Sequence, residues 1–193
     1  MVRPERPREK AQGWDVVSAQ TYGARARAGV ATGRHGKYQL DVTACDVADV
    51  VRHAGGWLAD RAMAGWDVSV IVTGDTDVTP LRILGVRTER PEPQDDATAP
   101  SRAMALAASA DAIDADPSLR NDVLRALKRG LTEVTLWGGG GQDGMARGVE
   151  SVEHELSAAA RAFKALALRA AGLDESVDPV ETFQRRPTDF LAG

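Results

Sequence analysis

The feature that most constrains this chain is the run from Asp67 to Thr73, where Val68, Val70, Ile71 and Val72 leave little polar interruption. A strand reads this way when both of its faces are covered, as in the interior of an α/β sheet. Gly74 ends the run, and the chain turns through Asp75 and Asp77, with hydroxyls at Thr73, Thr76 and Thr79. Pro80 biases Thr79 toward an extended backbone. Ligands of open α/β sheets sit outside the carboxyl ends of the strands, so chemistry belongs at a turn of this kind.

The flanking segments supply the rest of such a sheet. In Lys37–Ala44, Tyr38, Leu40, Val42 and Ala44 alternate with Gln39, Asp41 and Thr43, the period of a strand with one wet face. Asp46 stands at an N-cap position, and Val47, Val50, Val51, Ala54 and Leu58 then recur at helical spacing, which predicts a helix over Asp46–Ala64. The pair Gly55-Gly56 weakens that helix, so a close contact or a kink is expected there. Leu81–Val86 reads as a helical turn or a short strand. The Ala-rich segment Ser101–Ala115 reads as a helix, and Asp116-Pro117 opens another that Gly130 closes. Leu131–Trp137 is a third strand. Val152, Leu156, Ala159, Phe163, Leu166 and Ala170 step by four and three, which predicts one long helix over 149–171 with a single apolar stripe.

The expected fold is α/β: a small, mostly parallel sheet of about three to five strands covered by helices, in a single domain with a basic N-terminal arm. Residues 1–36 form the arm, expected to be flexible, and 37–172 the α/β domain, with a Pro- and acid-rich loop at 88–100. Residues 173–193 are a polar tail in which Phe183, Phe190 and Leu191 could pin it to the body or to a partner.

Charge separates along the chain. Residues 1–38 carry eight basic and three acidic side chains, although the whole chain has a formal charge of −4. A basic arm on an acidic body can touch nucleic acid, but the arm has few aromatics to stack on bases. Cys45 is the one cysteine, which rules out a disulfide framework and a thiolate zinc cluster. There is no signal-peptide-like segment and no apolar run of about 18 residues, so a cytoplasmic protein without membrane contact is expected. Arg, Ala and Val richness suggests a bacterial source.

Four features are candidates for chemistry. Asp75 and Asp77 lie two residues apart at a strand end, a spacing that can hold a divalent cation. Asp41 and Asp46 on the preceding strand and turn could add ligands. The glycines Gly138, Gly139, Gly140 and Gly141 follow a strand and could cradle phosphate, although the acids Glu150, Glu153 and Glu155 that follow oppose an anion. Cys45 precedes a helix N-terminus, which lowers a thiol pKa. No pair among His35, His53 and His154 has zinc-ligand spacing. Finally, the 149–171 stripe could pack on the sheet or meet its twin in a homodimer.

The order T-G-D-T-D at Thr73–Asp77 resembles the S-G-D-x-D segment of the PIN-like NYN nucleases. That resemblance implies metal-facing carboxylates at Asp75 and Asp77 and a cofactor of Mg or Mn. The same residues, read as D-T-D-V-T, are similar to the D-x-D-x-T opening of haloacid-dehalogenase-type phosphatases. A turn rich in Asp, Thr and Gly is also ordinary turn chemistry.

No complete catalytic constellation can be written from these residues. The leading expectation is therefore a non-enzymatic interaction or regulatory protein without a cofactor, engaging a protein partner or itself through 149–171. The rival is a metal-dependent phosphoesterase or nuclease centred on Asp75 and Asp77.

Overall fold

The computed structural model describes residues 38–74, 77–89, 103–138 and 149–186. The arm 1–36, Asp75, Gly139–Gly141, Phe190, Leu191 and most of the 88–100 loop lie outside the described residues.

Strand β1 (Gln39–Ala44) is followed by α1 (Val47–Met63) and β2 (Asp67–Val72). Gln39 pairs with Asp67 and Ala44 with Val72, in parallel. Asp46 caps α1 as expected, and Gly65 leaves the helix at a φ of 89°, a conformation favouring glycine. The short helix α2 (Thr79–Ile83) and strand β3 (Arg87–Glu89) extend the sheet outward. Pro80 sits in the first turn of α2, where its missing N–H leaves no bond unmade.

On the other side of β1 lie β4 (Ala105–Ser109) and, beyond α3 (Ala110–Ala115) and α4 (Pro117–Arg129), β5 (Glu133–Trp137), all parallel to it. Strand β6 (Glu150–Glu155), helix α5 (Ala158–Ala170) and strand β7 (Val180–Arg186) complete the molecule. Among the described residues one seven-stranded sheet runs β3-β2-β1-β4-β5-β7-β6, and β7 is antiparallel to both of its neighbours.

The α/β architecture matches the sequence reading, with a larger sheet than the three to five strands expected. Val68, Val70 and Val72 are buried with Leu40, Val42 and Ala44 in one core with residues of α1, α2 and α5. Ala108, Val134 and Leu136 form a second core with Ile113, Leu119, Val123 and Leu127 of α3 and α4. Two cores of this kind are what a sheet with helices on both faces requires.

Three element assignments change. The expected helix over 149–171 is a strand and a shorter helix. Glu150–Glu155 alternates exposed and half-buried residues along β7, and Ser157 caps α5 by accepting from the Ala160 amide. The stripe is therefore broken: α5 buries Ala160, Lys164, Ala167 and Leu168, while Phe163 is 40% and Leu166 50% exposed. The Ala-rich segment is a central strand followed by a one-and-a-half-turn helix capped by Ser109, with Ala105, Ala107 and Ala108 buried. Alanine favours helix on its own, but contacts on both sheet faces override that preference. Residues 180–186, read as part of the polar tail, form β7, and Phe183 packs on Trp57 with ring centroids 5.1 Å apart.

Candidate functional site

The chain leaves β1 toward β2 and β3 on one side, and β4 and β5 occupy the other. The carboxyl ends of β1 and β4 thus flank a topological switch point, the position at which open α/β sheets bind ligands. Cys45, Asp46 and Asp49 follow β1, Thr73 follows β2, Ser109 and Asp111 mark the end of β4, and Trp137 and Gly138 the end of β5.

Asp49 is the best-defined group on this edge. It sits in the first turn of α1, where a carboxylate meets the positive end of the helix dipole. The Trp137 indole N–H donates to its Oδ2 at 2.9 Å, and His53 Nε2 lies 3.6 Å from its Oδ1 one turn along α1. One oxygen is thereby held by a buried indole and the other faces a half-exposed imidazole, on a side chain 24% exposed. A carboxylate fixed at one oxygen and partly solvated can accept a proton.

Cys45 lies beside this group. Burial pushes its thiol pKa up, and the charges of Asp111, Asp49 and Asp46 add to the rise against a hydrogen bond with Thr73. The thiol is therefore held protonated, opposite to the activation expected at a helix N-terminus.

The acids expected to act are otherwise engaged. Asp41 is buried in mid-strand and accepts from Gln39 Nε2 at 3.0 Å. Asp46 spends its Oδ1 on the amides of Ala48 and Asp49 as the α1 cap. Asp77 accepts from the Thr79 amide at 2.9 Å and hydroxyl at 2.7 Å, and those two bonds hold its carboxyl below the usual range. Asp75 and Gly139–Gly141 are not described, whereas Gly138 takes a left-handed φ of 73° at the end of β5. Among the described residues, no three His, Cys, Asp or Glu side chains are grouped so as to hold a metal ion.

Asp49, His53 and Trp137 were not singled out as a unit by the sequence. The i,i+4 pair Asp49/His53 was a visible signal. Trp137 was not, because it reaches Asp49 across 88 positions of chain.

No protein-family model matches the chain, and no curated protein matches it by sequence. Solved structures match it in fold. A zinc-inhibited form of teicoplanin deacetylase aligns with a TM-score of 0.54 at 13% identity, over 76% of this chain and 97% of that one. A deacetylase–teicoplanin complex aligns at 0.51 and 13% identity, over 78% and 99%. An antimicrobial pseudoaglycone deacetylase aligns at 0.50 and 13% identity, over 77% and 97%.

At that identity the likeness is one of fold, and it corrects the leading expectation. The solved neighbours on this scaffold are deacetylases, which counts against the reading as a non-enzymatic interaction protein. The expectation of no cofactor also stands against these neighbours, one of which was solved in a zinc-inhibited form. The rival reading, a metal-dependent phosphoesterase or nuclease, agrees with these neighbours only in being a hydrolase, and not in its phosphate-ester substrate or its Mg or Mn.

Proposed function

We propose that this chain is a hydrolase of the deacetylase kind, acting at the carboxyl edge of β1, β4 and β5. The observation that carries the reading is the Asp49 carboxylate, fixed by Trp137 at the switch point of a fold shared with deacetylases. In the reaction, water adds to the acyl carbonyl carbon while Asp49 takes its proton. The bond to the leaving nitrogen or oxygen then breaks, that atom takes the proton from Asp49, and the acyl group departs as a carboxylic acid that gives its remaining proton to solvent or to the released amine. His53 Nε2 faces Asp49 Oδ1 at 3.6 Å, on the solvent side of the site.

The zinc-inhibited form of one neighbour supports zinc, ahead of Mg or Mn, as the metal to test. The described donors alone do not complete a zinc site, because no three converge.

The test is acetate release from a panel of N- and O-acetylated small substrates, with and without added Zn²⁺, comparing the native chain with Asp49→Asn. Acetate is expected from the native chain, with a loss of about 100-fold or more in the variant, the usual contribution of a general base. Phosphate release from p-nitrophenyl phosphate is expected to be nil. No acetate from any substrate, or undiminished release by Asp49→Asn, overturns the reading.

A further inference from the structure

Helix α1 is held at a second point, by a charge pair that the site does not use. Lys164 of α5 and Glu181 of β7 are 3% and 4% exposed, with Nζ 2.6 Å from Oε1. Glu181 Oε1 also accepts from the Gly56 amide at 2.9 Å, and its Oε2 from the Trp57 amide at 2.8 Å. Lys164 Nζ donates to the Arg52 carbonyl at 2.7 Å. Gly56 and Arg52 are four residues apart, the two ends of one helical hydrogen bond. Buried charges thus engage both ends of that rung, and polar side chains inserted into the ladder are a known cause of helix kinks.

Stability alone does not account for the pair. A buried ion pair gains little over apolar side chains of similar volume, because the desolvation cost offsets the attraction. Its geometry has a more specific consequence. Glu181 lies on β7, the neighbour of β5, and β5 ends in Trp137, which holds Asp49. Helix α1 is therefore tied to one strand pair at two points, Asp49 and Gly56, separated by about 10 Å of helix at 1.5 Å per residue.

We propose that Lys164 and Glu181 are positioning residues: by gripping α1 at Arg52, Gly56 and Trp57 they set Asp49 against Trp137. The catalytic consequence rests on the deacetylase reading; the placement of Asp49 does not.

The deciding variant is Lys164→Met/Glu181→Leu, which removes both charges together and leaves no ion unpaired. In ¹⁵N-labelled protein the Trp137 indole N–H resonance, assigned with Trp137→Phe, is expected to move toward its position in Asp49→Asn. The rate of Cys45 modification by a disulfide reagent is expected to change in the same sample. A purely structural pair would lower the melting temperature and leave the indole resonance in place. A folded double variant with an unmoved indole resonance overturns the proposal. If the double variant fails to fold, Glu181→Gln, which keeps the volume and one acceptor, is read by the same criterion. Neither measurement uses enzymatic activity, so absence of acetate release from the native chain would refute the deacetylase reading and leave this result standing.

Discussion

Two adjacent glycines in α1 do different things. A Cβ built on Gly56 would stand 2.4 Å from Leu156 Cδ1 and 2.5 Å from Cδ2, in a side chain that is itself buried. On Gly55 the nearest atom, Leu84 Cδ1, is 3.4 Å away, an ordinary contact. Gly56→Ala is expected to destabilise by about 1–3 kcal/mol through overpacking, whereas Gly55→Ala is expected to be neutral or stabilising by up to about 1 kcal/mol. Urea midpoints of the two variants check this. Asp60 offers a pH test. Burial raises its pKa, but hydrogen bonds from Ser157 and His154 and the charge of His154 outweigh that and hold it below the usual carboxylate range. A carboxyl lowered in the folded state contributes stability that is full above its unfolded pKa of about 3.9 and lost as pH falls through the lower folded value. Asp60→Asn is expected to flatten that acid-side loss, as read from urea midpoints between neutral pH and the acid transition.

At the scale of elements, the boundary between β6 and α5 shows how a short polar signal divides a long apolar pattern. Ser157 accepts from the Ala160 amide, and its own amide donates to Asp60 at 3.3 Å, so the helix start is tied to α1. Ser157→Ala is expected to cost about 1 kcal/mol, as for other N-cap losses. Phe163→Ser, on the exposed side of the same helix, is expected to change stability by less than about 0.5 kcal/mol, as surface substitutions do. If residues 149–171 were one helix buried along the six-residue stripe, the order of these effects would reverse. Strand β4 makes the complementary point: its alanines are buried, and the helices on both faces need side chains of that size there.

For the molecule as a whole, the switch point decides where groups distant in sequence meet. Trp137, from the far end of β5, is the only way in which that strand reaches Asp49 among the described hydrogen bonds. A hydrogen bond to a charged group contributes roughly 1.5–3 kcal/mol. Trp137→Phe is therefore expected to lower acetate release by roughly 10- to 100-fold while the chain stays folded, since the aromatic packing is kept. Circular dichroism and turnover measured on one preparation separate those two effects. Among the described residues no helix is long and apolar enough to cross a membrane.

The sequence by itself determined what local chemistry can encode. The alternating and apolar runs of β1 and β2, the Asp46 cap of α1, and Asp116-Pro117 and Gly130 bounding α4 all act over a few residues. Tertiary structure decided the rest. Ala105–Ser109 became a strand because β1 and β5 pair with it on either side, against the helical preference of alanine. Glu150–Glu155 and Val180–Arg186 became strands because each pairs with the other, and pairing partners 25 to 35 positions apart leave no short-range period to read. The Asp75/Asp77 turn drew attention because its acids are neighbours in sequence. Asp49, Trp137, Lys164 and Glu181 meet only once the sheet is assembled, since burial and hydrogen bonding act through space and not along the chain.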